Sequence, residues 1–160
     1  MKINNKNCCE NFKKKSSKKQ RKYISEEVKK EIVFKEKQSK FTIKNYGEKT
    51  IYKITVDGGF IKENNIKKCD FVFIVCEKND FYFLELKGAN IRKAYEQIKS
   101  TIDFFIKKIE KIEKKNIFAI IVCSKKVTNV DLINKKLKRN FLKIGKRLSF
   151  CKSKNFIIFD

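Results

Sequence analysis

CDFVFIVCEKNDFYFLELKG, residues 69–88, holds two apolar runs separated by the four polar residues Glu77, Lys78, Asn79 and Asp80. Phe, Val, Ile and Tyr dominate both runs, and a polar connection this short closes a β-hairpin. Both strands are apolar at nearly every position, so the hairpin is expected to be covered on both faces. Alternation along the second strand puts Phe81, Phe83, Glu85 and Lys87 on one side and Tyr82, Leu84 and Leu86 on the other. A face that turns into Glu85 and then Lys87 at its C-terminal end sets opposite charges roughly 6.6–7 Å apart at the margin of a core. Ionised groups there are costly unless paired with each other, a metal or a ligand. The loop pairs residues near 76 with residues near 81, so antiparallel register brings Asp70 opposite Glu85–Lys87. Two carboxylates and an ammonium thereby converge at one end of the hairpin, and such hard oxygen ligands suit Mg²⁺ or Mn²⁺. E-x-K also occurs at Glu27/Lys29 and Glu113/Lys115, but only Glu85/Lys87 stands on a strand that reads as buried.

Downstream, Ile91, Ala94, Tyr95, Ile98, Ile102, Phe105, Ile109 and Ile112 form one helical stripe reaching about residue 115. The apolar strand IFAIIVC (117–123) follows, and the helix before it is long enough for it to lie parallel to a strand of the hairpin's sheet. A basic amphipathic helix carrying Val130, Leu132, Ile133, Leu137, Phe141 and Leu142 comes next, within 129–147, and then the short strands LSFC and FIIF. Upstream, FTIKN, a turn at Tyr46-Gly47, IYKITV and Gly58-Gly59 read as strands of an antiparallel meander, with Asp57 opening a Gly-Gly turn or serving as a further site residue. Ser25 followed by Glu26 and Glu27 predicts an N-cap and a short helix over about 25–35. Residues 1–22 carry KKKSSKKQRK with almost no large apolar side chain, so a mobile basic tail is expected before a single domain over 23–160.

The chain of 160 residues holds 41 Lys and Arg against 18 Asp and Glu, a net charge of +23. An AT-rich gene accounts for part of the lysine but not for the shortage of acids, so a polyanionic partner is expected, nucleic acid before membrane. Fifteen Phe and a hydrophobic share of 41% supply a core, which excludes a disordered polycation. Histidine is absent, so a His-activated triad, a His-based nuclease and a His zinc site are excluded. Six cysteines without a C-x-x-C pair, behind an N-terminus unlike a secretory signal, read as reduced thiols of a cytoplasmic protein, mostly small core hydrophobes. No apolar run reaches the ~20 residues of a membrane span.

Asp70, Glu85-Leu86-Lys87-Gly88 and the helical Ala94-Tyr95-Glu96-Gln97 together resemble the PD-(D/E)XK nuclease superfamily over roughly residues 50–125. The fuller set Val56-Asp57-Gly58-Gly59, Lys68-Cys69-Asp70, Glu85 to Gly88 and Ala94 to Gln97 is similar to a group of small, largely uncharacterised bacterial proteins within it. The resemblance implies a restriction-endonuclease-like α/β fold: an αβββαβ core with a mixed central sheet flanked by helices, a basic N-terminal tail, and a C-terminal helix plus short strands. It also implies that Asp70, Glu85 and the Leu86 carbonyl hold Mg²⁺, with Mn²⁺ substituting. Lys87 then holds or activates the attacking water and stabilises charge on the phosphate, while Gln97 reaches the site from the helix. Cys69 stands where the motif has proline. The acid that many members carry on the first helix corresponds to Glu27, to Glu31, or to neither.

The expected activity is therefore a Mg²⁺-dependent endonuclease, on DNA rather than RNA, in restriction or defence, repair, or junction resolution, the last favouring a homodimer. A non-catalytic nucleic-acid-binding module using the tail and the 129–147 helix is the alternative. A basic ribosome-associated or RNA-binding protein is a third, and it needs an aromatic stacking surface.

Overall fold

The computed structural model describes residues 7–88, 90–123, 130–151 and 155–160. Helices α1 (Asn7–Lys15) and α2 (Lys18–Arg21) lead into strands β1 (Ile24–Glu27), β2 (Glu31–Glu36), β3 (Ser39–Asn45), β4 (Ile51–Thr55), β5 (Phe71–Val75) and β6 (Asp80–Gly88). There follow α3 (Ile91–Lys108), a 3-10 turn at Lys114–Asn116, β7 (Ile117–Cys123), α4 (Val130–Phe141), β8 (Arg147–Cys151) and β9 (Phe156–Phe159). Six strands form a mixed sheet in the order β1-β4-β5-β6-β7-β8, and β2-β3-β9 form a second sheet. Pairing is antiparallel from β1 to β6 and parallel from β6 to β8. The chain is thus an α/β protein built on a mixed six-stranded sheet with helices against it.

Burial on both sides of the hairpin explains its nearly continuous apolar sequence. Val72, Ile74, Phe81 and Phe83 pack with residues of α1, α3 and α4 in one core. Phe71, Phe73, Tyr82, Leu84 and Leu86 pack with Phe34, Phe41, Ile43 and Phe159 in another. The helices therefore cover one face of the large sheet and the small sheet covers the other. Asn90 caps α3, its side chain accepting the Lys93 N–H (3.0 Å), and the helix buries Ile91, Ala94, Tyr95, Ile98, Ile102 and Phe105. It ends at Lys108, short of the expected 115, while Ile109 and Ile112 stay in the core from non-helical backbone.

Four expectations are corrected. Residues 25–35 form strands, not a helix: β1 pairs with the edge of β4, and buried Asn45 donates to the carbonyls of Lys29 and Lys49 across the turn beyond β1. The expected meander is divided, since β3 lies in the small sheet and β4 in the large one. Residues 7–22 are docked rather than mobile, because Phe12 is fully buried against Phe60, Phe81 and Phe105 and a capping box joins Ser17 to Gln20. Arg21 fastens the two helices by donating to the carbonyls of Lys13, Lys14 and Ser16. Finally, not every cysteine is a reduced thiol: Cys9 of α1 and Cys76 after β5 are joined in a disulfide, whereas Cys69 and Cys123 are buried and free. No helix among the described residues is long and apolar enough to cross a membrane.

Candidate active site

The hairpin register decides what meets at the open end of β5 and β6. Phe71 stands opposite Leu84 and Val72 opposite Phe83, so the position before Phe71 faces Glu85. Asp70 and the Glu85-Leu86 segment are joined there by two main-chain-to-carboxylate hydrogen bonds. The Asp70 main-chain N–H donates to Glu85 Oε2 (3.1 Å), and the Leu86 N–H donates to Asp70 Oδ2 (2.8 Å). Glu85 is only 5% exposed, on the face that carries Phe81 and Phe83, and such burial demands partners for a carboxylate. Between Glu85 and Gly88 the β6–β7 register shifts by one residue, an irregularity in the pairing over the stretch that contains Lys87. The Lys87 side chain lies outside the described residues.

From above, α3 fixes the segment that carries Asp70. Gln97 Nε2 donates to the Lys68 carbonyl (2.9 Å), and Thr101 Oγ1, fully buried, accepts the Cys69 N–H (2.9 Å) and donates to the Gln97 carbonyl (2.8 Å). Gln97, expected among the catalytic groups, is hydrogen-bonded to the carbonyl two residues before Asp70. Lys68 adds a second brace: its ammonium donates to the carbonyls of Ile61 (3.2 Å) and Glu63 (3.1 Å) and lies 3.9 Å from Asp57 Oδ1. Asp57 is exposed and belongs to a tight turn in which Gly58 has a φ of 68°, which agrees with its turn reading. Cys69 is fully buried and free. Burial pushes its thiol far up, and the neighbouring carboxylates of Glu85 and Asp70 push the same way.

The two alternatives for a helical acid are not at this end. Glu27 pairs with Ile51 at the opposite end of the sheet, where the Ser25 hydroxyl and then Lys29 hold its carboxyl below the usual range. Glu31 pairs with Lys44 in the small sheet. The first helix does carry an acid, Glu10, whose charge acts on the Tyr52 phenol, again away from Asp70. Thr101 and Lys68 are the residues that the sequence motif underplayed. Lys68 sits inside Lys68-Cys69-Asp70, but nothing in its spacing announces that the side chain braces the preceding loop.

Among the described residues no three His, Cys, Asp or Glu side chains assemble around one point. A cation at this place would be held by the Asp70 and Glu85 carboxylates, main-chain oxygen and water, a donor set that fits Mg²⁺ or Mn²⁺ and not zinc. No protein-family model, no curated protein and no solved structure matches the chain.

Proposed function

We propose that this chain is a metal-dependent nuclease that hydrolyses phosphodiester bonds of DNA. The observation that carries the reading is that two carboxylates on adjacent strands are each held by a main-chain N–H of the other strand's segment, Glu85 by that of Asp70 and Asp70 by that of Leu86. Connectivity supports it too. Three antiparallel strands, β4, β5 and β6, are followed by helix α3 crossing over to the parallel strand β7, with α1 in front. With α2, β1, β2 and β3 standing between α1 and β4, this order is compatible with the αβββαβ core that the resemblance implies.

In this reading Asp70, Glu85 and the Leu86 carbonyl would hold the divalent cation, which would supply positive charge against the phosphate and acidify water. The main-chain hydrogen bonds to both carboxylates orient them before substrate arrives, so no reorganisation is needed during the reaction. Gln97 and Thr101 keep Lys68, Cys69 and Asp70 in register with Glu85. The Lys87 ammonium holds the attacking water and offsets charge developing on the phosphate. A second reading, a binding module without turnover, is favoured by charge alone, since residues 125–154 hold 11 basic residues and one acid.

Incubation of plasmid and single-stranded substrates with Mg²⁺, Mn²⁺ or chelator tests the proposal. Cleavage is expected with either cation and none with chelator. Lys87→Ala is expected to lose turnover by about 10²-fold or more at nearly constant affinity, because the transition-state charge is local while binding is spread over many phosphates. Lys29→Ala, from another E-x-K, cuts like the parent. Absence of cleavage under every condition, or a Lys87→Ala protein as fast as the parent, overturns the nuclease reading.

A further inference from the structure

Helices α3 and α4 each connect parallel neighbours of the large sheet, and both contribute to the core on the same face. They therefore run side by side, and between them lies an open groove of about 690 Å³. Tyr95, Ile133, Leu137 and Ile144 form its apolar floor. Its walls are cationic. Arg92 and Lys99 stand on α3, Lys136 on α4 and Lys143 just beyond it, all exposed, and among the described residues facing the groove Glu96 is the only acid.

We propose that this groove seats the phosphodiester backbone of a nucleic-acid strand, with Arg92, Lys99, Lys136 and Lys143 as its phosphate contacts. Charge complementarity argues for the occupant: four cations and one acid around a groove with an apolar floor suit an anionic polymer with apolar faces between its charges. Spacing argues the same way. Arg92 and Lys99 are two helical turns apart, about 10 Å along α3, enough to meet separate phosphates of one strand. Arg92 lies in the first turn of α3, whereas Gln97, which holds the Asp70 segment, is on another side of the helix and does not line the groove, so the groove is a binding surface separate from Asp70 and Glu85. The assignment of what is cut rests on the nuclease reading; the binding surface does not.

Fluorescence anisotropy with a labelled DNA oligonucleotide, single-stranded and duplex, in chelator so that nothing is cut, separates the two. The triple variant Arg92→Gln/Lys136→Gln/Lys143→Gln is expected to bind roughly tenfold or more weakly, with the slope of log affinity against log salt smaller by about 2 to 3. A charge-matched control, Lys35→Gln/Lys40→Gln/Lys44→Gln on the small sheet, keeps nearly the parent's affinity and slope. Lys136→Arg/Lys143→Arg keeps binding, which shows that charge rather than damage is read. Equal losses in groove and control variants, or unchanged binding in the groove variant, overturn the groove. So does a protein that binds anionic vesicles through these residues but not DNA. Asp70→Asn provides the separation: if it binds DNA like the parent and no protein cuts, the groove stands and the nuclease reading falls.

Discussion

Asp70 does two jobs, and they respond differently to substitution. Its carboxylate accepts the Leu86 N–H at 2.8 Å, which fixes the end of β6, and in the proposed nuclease it is also a metal ligand. Asp70→Ala leaves that N–H without its acceptor and is expected to cost about 1–3 kcal/mol, whereas Asp70→Asn retains an acceptor oxygen and most of the stability. On the nuclease proposal both are expected to lose cleavage, so thermal unfolding and activity measured side by side distinguish the roles. Equal destabilisation by Ala and Asn would show that the hydrogen bond contributes nothing. Tyr82 gives a second residue-level test. It lies between the sheets, stacked at 4.6 Å on both Phe73 and Phe118, and burial, aided by Asp80, pushes its phenol from 10.0 up to about 12. The unfolded chain ionises this tyrosine first, so the contribution is complete below pH 10 and is lost as pH rises toward about 12. Tyr82→Phe keeps the stacking and should flatten that alkaline limb in denaturant titrations; an unchanged limb assigns it to other groups.

Elements whose pattern is local could be read from the chain, and elements made by distant partners could not. In β6, alternation assigns Phe81, Phe83 and Glu85 to the helix side and Tyr82, Leu84 and Leu86 to the small-sheet side, as the two cores bear out. The short connection also set the register that opposes Asp70 to Glu85. By contrast, Ser25-Glu26-Glu27 has the chemistry of a helix start, but the free edge of β4 offers its backbone partners that no local window contains. The lysine run likewise masks α1, which is held to the protein chiefly by buried Phe12 and the Cys9 disulfide, with Cys8 against the core and Lys15 paired to Glu110. The bond from Cys9 to Cys76 spans 67 residues, and closing that loop constrains the unfolded chain by roughly 4 kcal/mol on the chain-entropy estimate. Reductant is therefore expected to lower the melting temperature of the parent and to leave Cys9→Ser/Cys76→Ser unaffected. A parent indifferent to reductant would mean that the pair is not oxidised in solution.

Across the whole molecule, the six-stranded sheet is completed in chain order from β4 through β8, but the small sheet is not. Its strand β9 pairs in parallel with β3, Thr42 meeting Phe156, a separation of 156 − 42 = 114 residues. Phe159 then closes over Phe73 and Tyr82. During synthesis, β3 must wait with one edge unpaired while more than a hundred residues emerge, and non-local pairing of this kind is slow. A waiting β edge is a template for association with other nascent chains. Lys40 and Lys44 on β3, with Lys35 on β2, put cations along that exposed ribbon, where they act as gatekeepers against association. Part of the lysine excess thus serves the chain before it has folded, during its passage from the ribosome.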